Sequence, residues 1–131
     1  MKFNYNDGGR SKYFKGEARD CVTRAIAIAT NKDYKEVYDE IAKVIGYTPR
    51  NSIKKKDTKN VMAYFGFKWK NCMGIGTGCT THLRDDELPN GTIVCSVSGH
   101  LCCVIDKVIN DTFDPSRDGT RCVYGYWYKE V

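Results

Sequence analysis

Three widely spaced side chains have the types that nucleophilic catalysis requires: a cysteine, a histidine and an acid. Cys21 follows Asp20 at the start of an almost wholly apolar segment, DCVTRAIAIAT. Aspartate is a preferred helix cap, and a cysteine at the positive end of a helix dipole favours its thiolate form. We therefore interpret Cys21 as a candidate nucleophile, the alternative being a small buried core residue.

His100 is one of two histidines and lies in SGHLCCVID, where a continuous apolar run predicts a central strand. A strand holds the imidazole on a rigid element, and Gly99 leaves room for a substrate beside it. Three candidate orienting groups follow in NDTFDPS, namely Asn110, Asp111 and Asp114. A nucleophilic cysteine needs a base and a third group that orients the base, and this chain order supplies both.

The turn between the two predicted strands decides which acid meets the histidine. If Asp106-Lys107 forms a two-residue turn, residue 105 faces residue 108, and Asp111 and Phe113 share the histidine's face. A longer turn or a bulge places residue 114 opposite the histidine instead. Lys107 is not the glycine that a tight turn prefers, so both registers stay open, and either carboxylate could simply cap a turn.

The elements that must position these residues fall into two groups along the chain. Residues 1–19 read as an irregular lead-in, followed by the Cys21 helix, a helix from about Asp33 to Ile45 and a third helix capped by Asp57 or Thr58. Strands are predicted at residues 67–70, 92–97, 101–105, 108–113 and 122–128. Helices followed by an antiparallel sheet indicate one α+β domain over residues 1–131.

Composition limits the classes of function. The chain has 131 residues, of which 41% are hydrophobic and 28% charged, as in an ordinary globular protein. No membrane-length apolar run and no secretory signal occur, so we expect a cytoplasmic protein without a membrane partner. Seven cysteines without framework spacing then indicate reduced thiols.

The net charge of +5 arises partly from residues 50–59, RNSIKKKDTK. Nucleic-acid binding through this segment is a third class of function, and a solvated basic loop is the simpler interpretation.

In element order, the chain resembles the papain-like cysteine peptidase superfamily. There, a cysteine opens a central helix packed on a sheet, a histidine begins a strand, and Asn or Asp follows on the neighbouring strand. The matching segments are DCVTRAIA, SGHLCCVID and TFDPS. The last is similar to the Asp-Pro element of the bacteriocin-processing peptidase and transglutaminase-like branches. The resemblance implies a catalytic triad of Cys21, His100 and Asp114, with Asp111 as the runner-up.

The resemblance also implies an activity. We expect thiol-dependent acyl transfer on a protein or peptide, with peptide or isopeptide hydrolysis first, and amidase, deamidase or transglutaminase chemistry on the same residues. By analogy, the small size suggests a processing or host-modifying protein of a bacterium or phage. Family members often place a glutamine six residues before the cysteine, where this chain has Lys15 and contains no glutamine. The oxyanion donors would then be the Cys21 N–H and Asn6 or Lys15.

Two further interpretations stay open beside this one. A papain-like protein that has lost turnover would act as a binding or effector protein, which suits the missing glutamine. A zinc site would draw on Cys72, Cys79, His82, His100, Cys102 and Cys103. No C-x₂-C or H-x₃-H pair occurs, and adjacent strand residues point to opposite faces. We therefore expect no metal and no cofactor.

Overall fold

The computed structural model describes residues 1–130 and shows three α-helices and a six-stranded mixed sheet. The helices are α1 (Cys21–Thr30), α2 (Tyr34–Ile45) and α3 (Lys55–Tyr64), with short 3-10 helices at Arg10–Lys12 and Pro49–Asn51. The strands are β1 (Lys2–Tyr5), β2 (Lys68–Asn71), β3 (Thr92–Val97), β4 (His100–Ile105), β5 (Val108–Asp111) and β6 (Gly125–Tyr128). The predicted α+β fold class is therefore confirmed as a combination of helices and one sheet.

Local sequence signals explain the helix boundaries. Asp33 caps α2 by accepting a hydrogen bond from the Glu36 N–H, and Gly46 ends the helix in the left-handed conformation with a φ of 82°. This confirms the predicted second helix. Helix α3 begins at Lys55, so Asp57 and Thr58 lie inside it and the prediction that one of them caps it is wrong. Lys54 occupies the cap position and makes no side-chain hydrogen bond there.

The sheet has the strand order β1-β5-β4-β3-β6-β2. Strand β1 runs parallel to β5, and the other neighbours are antiparallel. The prediction of a wholly antiparallel sheet preceded by an irregular lead-in is therefore wrong. All four β1 residues are exposed, so the strand is held by its backbone ladder and by an Asn4–Asn110 side-chain hydrogen bond of 2.8 Å. A strand of this kind leaves little apolar signal in the sequence.

A two-residue turn joins β4 to β5. Asp106 and Lys107 both have positive φ, 47° and 66°, as the tight primed hairpin turn requires. Ile105 therefore pairs with Val108, and the register continues without a bulge to Cys103 and Asn110. The shorter of the two turns considered from the sequence is the one that forms.

Apolar clusters lie on both faces of the sheet. On the first face, all three helices pack against strand residues that include Val94, Leu101 and Cys103. Helix α1 is buried over most of its circumference, from Val22 to Ala27, as its sequence predicts. On the second face, Leu83 and other loop residues cover the sheet. None of the helices within residues 1–130 combines the length and hydropathy that spanning a bilayer requires.

Two of the seven cysteines are joined rather than free. Cys79 and Cys122 form a disulfide across a sequence separation of 43 residues. The expectation of reduced thiols throughout is not met for this pair, because the pairing depends on an isolated β-bridge between His82 and Cys122 that spacing alone does not reveal. The remaining five cysteines are free.

Candidate active site

Cys21 is the first residue of α1, and its sulfur lies where the helix meets the start of β4. Burial raises the pKa of this thiol. The imidazole of His100, the backbone N–H of Leu101 and the charge of Arg24 lower it, and the net result is a pKa below that of an ordinary cysteine. This is the behaviour required of a cysteine nucleophile near neutral pH.

His100 is the first residue of β4 and is held between Cys21 and an acid. Its Nε2 atom lies 2.6 Å from Oδ2 of Asp111, the last residue of β5. Burial lowers the pKa of His100, but the hydrogen bond to Asp111 and the interaction with Cys21 outweigh this and raise the pKa to about 9. Because Asp111 occupies Nε2, Nδ1 is the ring nitrogen left for the thiol. Both shifts favour the charged forms, the thiolate of Cys21 and the imidazolium of His100.

Asp111 rather than Asp114 is the partner of His100, which corrects the choice made from the sequence. Asp114 is exposed, and its Oδ1 accepts a hydrogen bond of 2.9 Å from the Ser116 N–H, so this carboxylate caps a turn. The reason for the difference is the two-residue turn at Asp106-Lys107, which keeps Asp111 on the side of His100. Asn110 turns to the other neighbour and bonds Asn4.

A buried ionic network lies next to Cys21 and Asp111. Asp20 is 1% exposed, and its carboxylate binds the guanidinium of Arg24 and the hydroxyl of Tyr34, with Arg10 Nη1 at 3.6 Å. Nη2 of Arg24 lies 3.6 Å from Oδ1 of Asp111. Arg24 thus links Asp20, the residue before Cys21, to Asp111, the residue that binds His100.

This network also corrects the predicted helix cap. The Asp20 side chain accepts no hydrogen bond from the first-turn N–H groups of α1. A carboxylate buried to this extent is stabilised better by a guanidinium and a hydroxyl than by a partly solvated cap, because a buried charge needs charged or strong hydrogen-bonding partners. Helix α1 nevertheless begins at the predicted residue, Cys21.

A cavity of about 540 Å³ adjoins the site. It is lined by the lead-in, by Arg24 and by Phe113, whose ring centroid lies 5.0 Å from that of His100. Lys15 also lines this cavity. The side chain of Asn6, the other candidate oxyanion donor, accepts from the Gly8 N–H and donates to Asn110 instead. Among the two candidates, Lys15 is therefore the one that faces open space.

The remaining candidates from the sequence lie elsewhere. Cys102 and Cys103 are buried in the sheet, and Cys72 is half-buried. His82 is bound to Glu87 and lies close to Cys79, apart from the Cys21–His100–Asp111 group. Residues 50–59 form the end of a 3-10 helix, a short connection and the first part of α3. The lysines among them are exposed, as expected of a solvated basic segment.

Arg24 is the participant that sequence reasoning missed. It is the only charged residue between Cys21 and Thr30, and it stands four positions after Asp20. A single arginine in an apolar helix, spaced to meet an acid one turn earlier, is a usable signal of a buried ion pair.

Comparison of the chain with models of known protein families, with curated proteins and with solved structures finds no match. The chemistry of the site follows from its own geometry and charges.

Proposed function

We propose that this protein is a thiol-dependent acyl hydrolase or acyl transferase with a papain-like arrangement, most simply a cysteine peptidase or isopeptidase. Cys21 is the nucleophile, His100 the general acid and base, and Asp111 the group that orients His100. The observation that carries the proposal is the Cys21–His100–Asp111 series, supplied by the start of a helix and two adjacent strands. A buried acid, a strongly basic imidazole and an acidified thiol support this assignment.

The reaction proceeds in two halves. In the first, the Cys21 thiolate attacks the carbonyl carbon of an amide or thioester, and the imidazolium of His100 gives its proton to the leaving nitrogen or sulfur as that bond breaks. The product is an acyl-thioester on Cys21. In the second, neutral His100 takes a proton from water or another acceptor, which attacks the thioester carbonyl. The thiolate leaves, and the thiolate–imidazolium pair is restored.

The electrostatic setting favours both halves. Asp111 keeps the imidazole oriented through Nε2 and stabilises its protonated form, because the two charges are close and mostly shielded from water. The N-terminus of α1 supplies backbone N–H groups and a positive dipole end at the Cys21 sulfur, where negative charge is held. The cavity is lined by Arg24 and by Phe113, whose ring packs against that of His100, so we expect a substrate to approach from this side.

The test is site-resolved alkylation by iodoacetamide between pH 5 and 9, quantified by mass spectrometry. Cys72 is an internal reference, because burial raises the pKa of this thiol and it is half-buried like Cys21. We expect Cys21 to react at pH 6 at least tenfold faster than Cys72, and to lose this advantage in His100→Ala. Equal rates at the two cysteines, or no change in the variant, would contradict the assignment.

The alternative is a binding or effector protein that has the same site without turnover. It is favoured by Lys15, which stands where papain-like enzymes have a glutamine, and by the engagement of the Asn6 amide elsewhere. Activated acyl thioesters separate the two. An enzyme forms an acyl adduct on Cys21 and releases it over time, whereas a binding protein forms none or retains it. Cys21→Ser is the blank in both measurements.

A further inference from the structure

A second cluster of reactive side chains lies outside the proposed catalytic group. Sγ of Cys79, Sγ of Cys122 and Nε2 of His82 all lie within 4.8 Å of one another. Thiolate sulfur and imidazole nitrogen are the ligands that zinc prefers in proteins. Cys79 and His82 have a C-x₂-H spacing, and Cys122 lies 43 positions after Cys79 in the chain. The cluster therefore unites two ligands of one loop with a third from a distant segment.

The histidine of this cluster is already oriented for a metal. Its Nδ1 lies 3.1 Å from Oε1 of Glu87, while its Nε2 lies 3.4 Å from Sγ of Cys79. A carboxylate on one ring nitrogen fixes the tautomer in which that nitrogen carries the proton. The lone pair of the other nitrogen then points at the two sulfurs. This carboxylate–histidine pairing is the usual support of a zinc-bound imidazole.

The backbone holds two of the three ligands in place. His82 and Cys122 are opposite residues of a β-bridge, with Leu83 N–H donating to Arg121 at 3.0 Å and Val123 N–H donating to Thr81 at 2.8 Å. Cys79 comes from the glycine-rich loop, and its Cα lies 5.7 Å from that of Cys122. The β-bridge thus fixes the backbone of His82 and Cys122, and Cys79, which lies in the loop, is the ligand whose position can adjust.

We propose that the reduced protein binds Zn²⁺ through Sγ of Cys79, Sγ of Cys122 and Nε2 of His82, with water in the fourth position. The disulfide of the structure is the oxidised form of the same site. A thiol or phosphine reductant supplies two electrons and breaks the S–S bond to give two thiols. Zn²⁺ then replaces two thiol protons, which are released, and the two thiolates coordinate it. The sulfurs move apart to roughly 3.8 Å, as tetrahedral coordination with Zn–S bonds of about 2.3 Å requires.

This inference does not depend on the proposed catalytic function. The metal would tie the glycine-rich loop to the segment before β6 under reducing conditions, as the disulfide does under oxidising ones. Metal and disulfide exclude each other, because both use the same two sulfurs. The disulfide under oxidising conditions and the metal under reducing conditions therefore hold the glycine-rich loop in the same position.

The experiment uses the full chain reduced with a phosphine and stripped of metal with a chelator. Zn²⁺ is added and binding is followed by native mass spectrometry and calorimetry. Co²⁺ is added in parallel to read thiolate-to-metal charge transfer and the d–d bands of tetrahedral coordination. We expect one equivalent of Zn²⁺, at least tenfold weaker binding in His82→Ala and in Cys79→Ser, and roughly tenfold weaker binding in Glu87→Gln. Cys21→Ser is the matched control and should bind as wild type.

Several results would overturn the proposal. They are the absence of zinc binding by the reduced wild type, binding unaffected by His82→Ala and Cys79→Ser, and loss of binding in Cys21→Ser alone. Circular dichroism of each variant checks folding. Cys79 is exposed, so its replacement leaves the core intact and keeps the test decisive if His82→Ala misfolds.

Discussion

Nε2 of His100 lies 2.6 Å from Oδ2 of Asp111, at the point where two adjacent strands begin and end. The relationship is set by the turn at Asp106-Lys107, because one inserted residue there would move every β5 side chain to the other face. The chemistry proposed for Cys21 therefore depends on a hairpin turn at the opposite end of the strands.

Replacing Asp111 by Asn should lower the pKa of His100 from about 9 toward its ordinary value, since the hydrogen bond and the negative charge that raise it are both weakened. The imidazolium that acidifies Cys21 is then less populated at pH 7. We expect Cys21 alkylation at pH 8, where an imidazole of ordinary pKa is almost wholly neutral, to fall at least tenfold, and the His100 ring to titrate lower by NMR. Asp114→Asn is the matched control, because that carboxylate only caps a turn. Equal effects of the two variants would contradict the assignment of Asp111.

Replacing Arg24 by Met leaves the carboxylates of Asp20 and Asp111 without their shared guanidinium. Removal of one partner from a buried ion pair typically costs about 3–5 kcal/mol. We expect a loss of that order in the free energy of unfolding, measured by urea denaturation. Lys32→Ala is the comparison, because its 3.6 Å pair with Glu40 is partly exposed and should change stability by about 0–1 kcal/mol. If Arg24→Met left the free energy of unfolding almost unchanged, the ionic network would not be a major source of stability.

The rate of the proposed acyl transfer should show a bell-shaped dependence on pH. The ascending limb follows deprotonation of Cys21, whose pKa is lowered, and the descending limb follows loss of the His100 proton near pH 9. Acyl transfer needs the thiolate and the imidazolium together, so the maximum lies between these two pKa values. The measurement is the rate of acyl-thioester turnover between pH 5 and 10.5. Asp111→Asn should move the alkaline limb to lower pH, and an unmoved limb would exclude His100 as the acid.

Stability should also depend on the protonation of His100. Its folded-state pKa is raised above the ordinary 6.5, so the stabilisation is fully present below about pH 6.5 and is lost as pH rises through about 9. The Cys21 thiol has the opposite sign, so the measurement is made in Cys21→Ser. We expect the free energy of unfolding of that variant to fall between pH 6 and 10 more steeply than that of Cys21→Ser/His100→Gln. Because Cys21 also contributes to the raised pKa of His100, parallel curves for the two proteins would refute the part of the shift that Asp111 causes.

Local features of the sequence predicted local features of the structure. The apolar stripe and capping residues of α2, and the apolar run of β4, are short-range signals, and the structure confirms both elements. Predicting which acid binds His100 also required the length of the turn at Asp106-Lys107. Two non-glycine residues adopt positive φ there, which their types alone do not predict.

Features that depend on distant pairing could not be predicted in this way. The parallel contact of β1 with β5 joins residues more than 100 positions apart, and all β1 residues are exposed. Cys79 and Cys122 meet only because an isolated bridge aligns their segments. The Asp20 carboxylate binds Arg24 instead of capping α1. This pairing depends on the burial of the carboxylate, which its position in the chain does not reveal.

The placement of Cys21 and Arg24 one turn apart on α1 has a consequence for dynamics. The proposed nucleophile and the residue that contacts Asp111 belong to one rigid helix, which packs mainly against the strand that carries His100. Amide protons of α1 and β4 should therefore exchange with solvent only when the whole chain opens. Loss of the proposed acyl-transfer activity in urea and global unfolding would then share a single midpoint.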